Sequence, residues 1–257
     1  MTDLLDLLSA GRGGTVWPLF VHAHPDDETL QSGLLIAWLA ARQVACDVVT
    51  CTRGEQGEVV DGVLPPTITP DDLVRVRMRE LTGALDKLGV AGRFMLGTPP
   101  ARAGGLEARH YHDSGMRWVA PGLAGPADVD DPLAFTAAPL EEAVDDLLAL
   151  IAETQPSVLV GYDRHGSYGH PDHRRAHEVA VAAARSSGVP MIEVASAEDA
   201  EGFEWFDLSA QLPVVIDALR CHATQLTVVD GDHIVHVGGQ RQELPRKVGL
   251  RPLGDEN

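Results

Sequence analysis

Two short stretches of the sequence repeat the residues His-Pro-Asp, as "HPDD" at residues 24–27 and "HPDH" at residues 170–173. A catalytic zinc ion commonly keeps three protein ligands and leaves one position for water. His24 and Asp27 lie three residues apart around a turn, so both side chains can bind one ion, and His173 can supply a third ligand. This His-Asp-His set suits zinc, and it also suits the two-histidine, one-carboxylate arrangement of ferrous iron. We therefore predict one Zn²⁺ or Fe²⁺ ion per chain.

Asp26 stands beside these residues without a place among the ligands if Asp27 binds the metal. A free carboxylate next to a metal site can take a proton from water, so Asp26 is a candidate general base. A simpler interpretation stays open for each motif alone, because an aspartate before a helix is most often an N-cap and Pro171 suits the first helical position. The occurrence of both motifs favours one metal site.

The elements around the motifs must bring them together. An apolar run precedes each motif, at residues 15–24 and 157–162, and a helical pattern follows it. Further strands are predicted at residues 44–52, in "RFMLG" and in "PMIEVAS", and Thr69, Pro70 and Gly89 bound a helix. Alternating strands and helices predict an α/β fold with a mostly parallel, doubly wound sheet. Ligands bind beyond the carboxyl ends of such strands, where both motifs lie.

The whole chain, residues 1–257, is interpreted as a single domain. Its core spans about 15–195, with a long glycine- and histidine-rich loop from 98 to about 126. A small C-terminal extension of about 200–257 contains a helix and a hairpin that turns at Asp230-Gly231.

Composition limits the classes of partner. A formal net charge of −18 argues against nucleic acid and anionic membrane surfaces, and favours a small-molecule substrate. The longest apolar stretch, residues 33–41, is too short to cross a bilayer, and the N-terminal residues lack a signal-peptide pattern. Three cysteines without paired spacing imply no disulfide framework. We predict a cytoplasmic protein without membrane insertion, and the sequence gives no indication of its oligomeric state.

The stretches "HAHPDDETLQSG" and "YDRHGSYGHPDHRRAH" resemble the LmbE-like, or PIG-L-like, metal-dependent de-N-acetylases. "VVTCTRGEQGEV", "RMRELTGALDKLGV", "HDSGM" and "CHATQ" resemble the mycothiol-pathway branch, which removes acetate from N-acetylglucosaminyl-inositol. The resemblance implies a Rossmann-like sheet with helices on both faces and a zinc ion bound by His24, Asp27 and His173. It spans roughly residues 16–187 and resumes near Cys221.

The resemblance also implies roles for other residues. Asp26 would be the general base, and His170 would bind the developing oxyanion and assist the leaving amine. Tyr168 would polarise the amide carbonyl, while Arg77 and Asp113 would hold sugar and inositol hydroxyls.

The resulting expectation is a zinc-dependent hydrolase that removes the N-acetyl group from an N-acetylglucosamine conjugate, with N-acetylglucosaminyl-inositol as the substrate. Two alternatives within the family stay open, a mycothiol S-conjugate amidase and a deacetylase of another N-acetylglucosaminide. A non-catalytic metal-binding protein is the alternative of a different class. Asp26, His170 and Tyr168 around the ligands argue against it.

Overall fold

Buried strands alternate with helices along the chain in the computed structural model, which describes residues 3–9, 15–127 and 131–254. The strands, in chain order, are β1 (Pro18–His22), β2 (Asp47–Thr50), β3 (Gly92–Met95), β4 (Met116–Ala120), β5 (Leu123–Pro126), β6 (Val158–Tyr162), β7 (Met191–Val194), β8 (Glu204–Asp207), β9 (Leu226–Val229), β10 (His233–His236), β11 (Arg241–Glu243) and β12 (Lys247–Pro252). The helices are α1 (Leu4–Leu8), α2 (Asp27–Leu30), α3 (Gly33–Ala40), α4 (Pro70–Leu88), α5 (Leu140–Thr154), α6 (Pro171–Ser187) and α7 (Leu212–Leu219).

Seven strands form the main sheet, in the order β3-β2-β1-β6-β7-β12-β8. The first five of these are parallel, and β12 runs antiparallel to both of its neighbours, β7 and β8, so that β8 has the same direction as the first five. The strand order reverses at β1, which pairs with β2 on one side and β6 on the other. A crevice opens at such a reversal, beyond the carboxyl ends of the two strands. Both His-Pro-Asp motifs follow strands that border it.

Helices cover both faces of the sheet. Phe20 of β1 packs into a cluster with residues of α3, α4 and α7. Its neighbours Leu19 and Val21 pack into a second cluster, with residues of α5 and α6. Successive strand residues point to opposite faces, so the two clusters are the two sides of one sheet. This confirms the predicted α/β, doubly wound fold.

Local structure departs from the predictions in several places. The helix after the first motif is two helices, α2 and α3, because residues 31 and 32 interrupt the helical hydrogen bonding. The loop predicted from residue 98 to about 126 contains the hairpin β4–β5. Helix α1 and the strands β8, β11 and β12 were not predicted, and β12 lies between β7 and β8.

The C-terminal segment therefore does more than extend the core. The predicted hairpin is present as β9–β10, and Asp230 and Gly231 at its turn have φ values of 51° and 78°. Both residues have the positive φ that a tight hairpin turn requires. However, β8 and β12 add two strands to the main sheet. None of the helices in the described residues is long and apolar enough to cross a membrane.

Candidate active site

The two His-Pro-Asp motifs meet where β1 and β6 end side by side. His24 follows β1, Asp27 begins α2, and His173 lies in the first turn of α6. His24 Nδ1 is 3.2 Å from Asp27 Oδ2, and His173 Nε2 is 3.2 Å from Asp27 Oδ1. The two ring nitrogens are 3.3 Å apart. Two histidines 149 positions apart along the chain thus lie together, each beside a different oxygen of the Asp27 carboxylate, and these three side chains are called the donor set below.

This donor set fits a tetrahedral metal ion. Ligands about 2.0–2.1 Å from a zinc ion at tetrahedral angles are separated by roughly 3.3 Å. The two ring nitrogens lie at this distance from one another, and each lies 3.2 Å from one oxygen of Asp27. Another possible metal-binding group consists of three ring nitrogens, from His24, His170 and His173, which all lie within 4.8 Å of one another. His170 fits less well as a ligand, because its Nδ1 accepts a hydrogen bond from the Asp172 N–H at 3.1 Å.

The outer nitrogen of His24 has a carboxylate partner that the sequence analysis did not identify. His24 Nε2 lies 3.1 Å from Asp172 Oδ2, and Asp172 is fully buried. The backbone N–H of Ser114 also donates to Asp172, at 2.8 Å. A carboxylate on the outer nitrogen fixes the tautomer and orientation of a metal-binding histidine. Asp172 is therefore in place to turn His24 Nδ1 toward the donor set.

Tyr162, the last residue of β6, contacts the other two members of the donor set and was also missed. Its ring stacks on the His173 ring with centroids 4.5 Å apart. Its hydroxyl accepts from the Ala23 N–H at 3.0 Å and hydrogen-bonds to Asp27. Burial alone would raise the pKa of Asp27, but His173 and His24 outweigh it and hold that pKa well below its usual range. Asp27 is thus an ionised carboxylate, the form that binds a cation.

Asp26 adopts an unusual backbone conformation, with φ of 110°. Residues with a Cβ rarely adopt it, and such conformations cluster at functional sites. Burial and the neighbouring Asp27 carboxylate raise the pKa of Asp26 to about 8. A carboxyl group with a raised pKa can both accept and return a proton near neutral pH.

His170 and Tyr168 stand at the edge of the donor set. The His170 ring centroid lies 4.5 Å from that of His24. Burial and the rings of His24 and His173 lower the pKa of His170 to about 2. Because its Nδ1 accepts a hydrogen bond, the proton of the neutral ring is on Nε2. His170 is thus available as a neutral hydrogen-bond donor.

Tyr168 is 39% exposed and packs edge-on against the His173 ring, with centroids 5.3 Å apart. Burial of its hydroxyl and the nearby carboxylates of Asp27 and Asp26 raise its pKa well above the usual range. The hydroxyl therefore stays protonated and can donate a hydrogen bond. The exposed Trp118 ring of β4 lies 5.6 Å from the Tyr168 ring, so the hairpin β4–β5 borders the same opening.

Arg77 does not lie in the opening of the site. It is 1% exposed, and its guanidinium donates to backbone carbonyls of the loop after β2: to Gly54, to Gly57 at 3.0 Å and to Glu58 at 2.8 Å. A Cβ at Gly57 would collide with the guanidinium. Arg77 thus shapes the loop beside Asp26, and its proposed contact with substrate hydroxyls stays a prediction.

Asp113 is brought to the site but also stabilises its own turn. Its Oδ1 lies 3.6 Å from His24 Nε2 and accepts the Gly115 N–H at 2.8 Å. Asp113 is 6% exposed, and its backbone N–H donates to Glu55 at 3.0 Å. Both interpretations of Asp113, turn residue and substrate ligand, fit this position.

The chain is similar in sequence to a known family of deacetylases. A family model described as GlcNAc-PI de-N-acetylase, PIG-L, matches residues 19–184. A relative from Saccharopolyspora erythraea, named 1D-myo-inositol 2-acetamido-2-deoxy-alpha-D-glucopyranoside deacetylase 1, is 38% identical over 242 residues. That match covers 81% of this chain and 77% of the relative. A deacetylase of the same substrate name from Mycolicibacterium smegmatis is 37% identical, with 93% of this chain and 88% of the relative covered.

The fold is also similar to a solved deacetylase structure. A deacetylase of teicoplanin biosynthesis, in complex with teicoplanin, superposes with a TM-score of 0.57 at 19% identity. The superposition covers 93% of this chain and all of the solved chain. At this identity the likeness concerns the fold.

Proposed function

This chain belongs to the PIG-L family of de-N-acetylases, and from that membership we propose that it removes the acetyl group of N-acetylglucosaminyl-inositol. The chain is an enzyme that hydrolyses an N-acetyl amide bond. The observation that carries the proposal for the site is the convergence of His24, Asp27 and His173 at spacings of 3.2–3.3 Å. Asp26, His170 and Tyr168 surround that set.

We propose one Zn²⁺ ion per chain, held by His24 Nδ1, the Asp27 carboxylate and His173 Nε2. When bound, the ion would supply Lewis acidity, which polarises the amide carbonyl and makes water more acidic. Asp172 and Tyr162 support this set by orienting its members. Fe²⁺ suits the same ligands, and metal analysis of the purified protein distinguishes the two ions.

Asp26 carries the proton through the reaction. Its carboxylate accepts a proton as a water molecule attacks the acetyl carbon. The C–N bond then breaks, the proton passes to the departing amine, and the acetic acid that remains releases its own proton to give acetate. A group that must accept and then donate performs best when its pKa lies near the working pH. The raised pKa of Asp26 supports this double role.

Tyr168 and His170 stabilise the negative charge on the former carbonyl oxygen. Both side chains are protonated donors, Tyr168 because its pKa is raised and His170 through its Nε2–H. Oriented donors that meet charge developing in the transition state are among the strongest contributions to catalysis. We expect the Tyr168 hydroxyl to polarise the carbonyl and His170 to hold the oxyanion and assist the leaving amine.

A substrate panel tests the proposed activity. The purified, zinc-loaded protein is incubated with N-acetylglucosaminyl-inositol, with other N-acetylglucosaminides and with a mycothiol S-conjugate. Free primary amine and acetate are measured, and we expect the highest kcat/KM on N-acetylglucosaminyl-inositol. Preference for the S-conjugate would identify an amidase, and preference for another N-acetylglucosaminide would change the assigned substrate. Release of neither product from any compound would refute the proposal.

A further inference from the structure

One peptide unit beside the donor set is held at both of its polar ends by side chains. Gln225 Nε2 donates to the Pro25 carbonyl oxygen at 2.7 Å. Glu28 Oε2 accepts the N–H of Asp26 at 2.9 Å. These two groups belong to the single peptide bond between Pro25 and Asp26. The next backbone rotation is the φ of Asp26, which has the unusual value of 110°.

The carboxylate that holds the Asp26 N–H is itself held by a distant histidine. His222 Nε2 lies 2.8 Å from Glu28 Oε1, across 194 positions of sequence. Both residues are fully buried. A carboxylate only accepts hydrogen bonds, so His222 is the donor. A buried carboxylate needs such a partner to remain ionised and in one position.

The turn that carries His222 and Gln225 is also fixed. Both oxygens of the Glu80 carboxylate, on α4, accept hydrogen bonds from Thr224, at 2.9 Å from its N–H and 2.6 Å from its hydroxyl. The side-chain hydrogen bonds described for His222 and Gln225 go to Pro25, Glu28 and Thr29 and to one another. Neither residue bonds to a member of the donor set within the part of the chain that the structure describes. They act on the turn rather than on the ligands.

We propose that His222 and Gln225 are positioning residues for Asp26. Gln225 acts directly on the Pro25–Asp26 peptide unit, and His222 acts on it through Glu28. Together they stabilise the positive φ that separates the Asp26 side chain from the neighbouring ligand Asp27. A conformation that is unfavourable for a residue with a Cβ persists only where its surroundings enforce it. The inference rests on the proposed role of Asp26 as the general base.

The first test compares Gln225→Ala and His222→Ala with the parent. We expect each single variant to lose about tenfold in kcat and the double variant about a hundredfold. Displacement of a catalytic group by about 1 Å can cost roughly a hundredfold in rate. KM and metal content should stay at parent values. Gln155→Ala is the matched control, since Gln155 also donates to backbone carbonyls, at the end of α5. It should retain parent activity.

A double-mutant cycle separates positioning from general support of the fold. In a protein that already carries Asp26→Ala, the further change His222→Ala should cost almost nothing, because there is no base left to position. Glu28→Gln should retain more activity than Glu28→Ala, since its amide oxygen can still accept the Asp26 N–H. An unchanged loss in the Asp26→Ala background, or a loss of metal in Gln225→Ala, would overturn the proposal.

Amide hydrogen exchange gives a readout that needs no substrate. The Asp26 N–H should be protected in the parent and should exchange at least tenfold faster in Glu28→Ala and His222→Ala. Equal exchange in parent and variants would overturn the inference even if the enzyme is active. Failure of every substrate in the panel would instead remove the proposed function and leave the exchange result intact. If His222→Ala does not fold, Gln225→Ala and its control decide the matter.

Discussion

Adjacent residues in the first motif have different surroundings, and this predicts different consequences of mutation. Asp27 is buried with its carboxylate in the donor set, whereas Asp26 is half-buried and turned away by its positive φ. Asp26→Ala should bind zinc like the parent and lose about a hundred- to ten-thousandfold in rate, as expected for loss of a general base. Asp27→Ala should lose metal and activity together.

Metal titration and turnover of the two variants check this assignment. Loss of metal from Asp26→Ala with retention by Asp27→Ala would exchange the two roles. For the ligand set itself, His24→Ala and His173→Ala should also purify with little tightly bound metal. Stoichiometric tight metal in either histidine variant would exclude that histidine as a ligand.

The pH dependence of kcat/KM should also report on Asp26. The base must be ionised to accept a proton, so activity should fall about tenfold per pH unit below its pKa. Burial and Asp27 raise that pKa to about 8, and the positive charge of a bound ion lowers it. We therefore expect an acidic limb with a midpoint below pH 8 in the metal-loaded enzyme. Asp26→Ala should lack this limb, and its persistence there would assign the limb to another group.

At this scale the sequence predicted which residues meet, but not what surrounds them. The donor set follows from two motifs after adjacent parallel strands, a placement that hydrophobic patterns reveal. Asp172 reads as an ordinary first-turn residue of α6, and Tyr162 as the end of a buried strand. Their contacts with His24, Asp27 and His173 depend on side-chain directions between elements distant in sequence, which no local pattern contains.

Among the elements, α4 holds the loop after β2, which lies beside Asp26, through the hydrogen bonds of Arg77. Arg77→Ala would remove the hydrogen bonds that the guanidinium donates to the carbonyls of residues 54, 57 and 58, and a typical hydrogen bond contributes about 0.5–1.5 kcal/mol to stability. We expect a lower free energy of unfolding. We also expect KM to rise more than kcat falls, because a disturbed loop weakens the binding of the substrate and of the transition state alike. Denaturant unfolding and steady-state kinetics measure both effects.

Arg75→Ala is the control on the same helix, because the Arg75 side chain is 62% exposed and pairs with Asp72 at the surface. It should change both quantities little. Asp113→Ala should likewise raise KM more than it lowers kcat if Asp113 holds substrate hydroxyls. A loss confined to kcat in either Arg77→Ala or Asp113→Ala would contradict a role in substrate binding.

The elements that sequence reasoning missed lack strong local patterns. Strands β4 and β5 expose Trp118, Val119 and Leu123, so no buried alternation marks them. Strand β12 has few apolar residues and ends near Pro252, yet tertiary pairing with β7 and β8 incorporates it. By contrast, Thr69 and Gly89 bound α4 as predicted, because caps are local chemistry.

At the scale of the whole molecule, a bound ion would join segments from both halves of the chain. His24 and Asp27 follow β1, while His173 belongs to α6, after the strand that pairs with β1. The three proposed ligands converge only in the folded chain, so the ion should bind the native state far better than the unfolded one. An ion that binds only the native state, at a concentration of a hundred times its Kd, stabilises that state by about 2.7 kcal/mol.

For a chain of this length, that stabilisation should raise Tm by roughly 5–10 °C when zinc is added to chelator-treated protein. His173→Ala should show little rise in Tm, because only two of the three proposed ligands remain. His236→Ala is the matched control, since His236 bonds to Gln242 on the exposed hairpin, and it should keep the full rise. Thermal scans of the three proteins with and without zinc measure this. An equal rise in His173→Ala would place the stabilising ion elsewhere and separate it from the proposed catalytic centre.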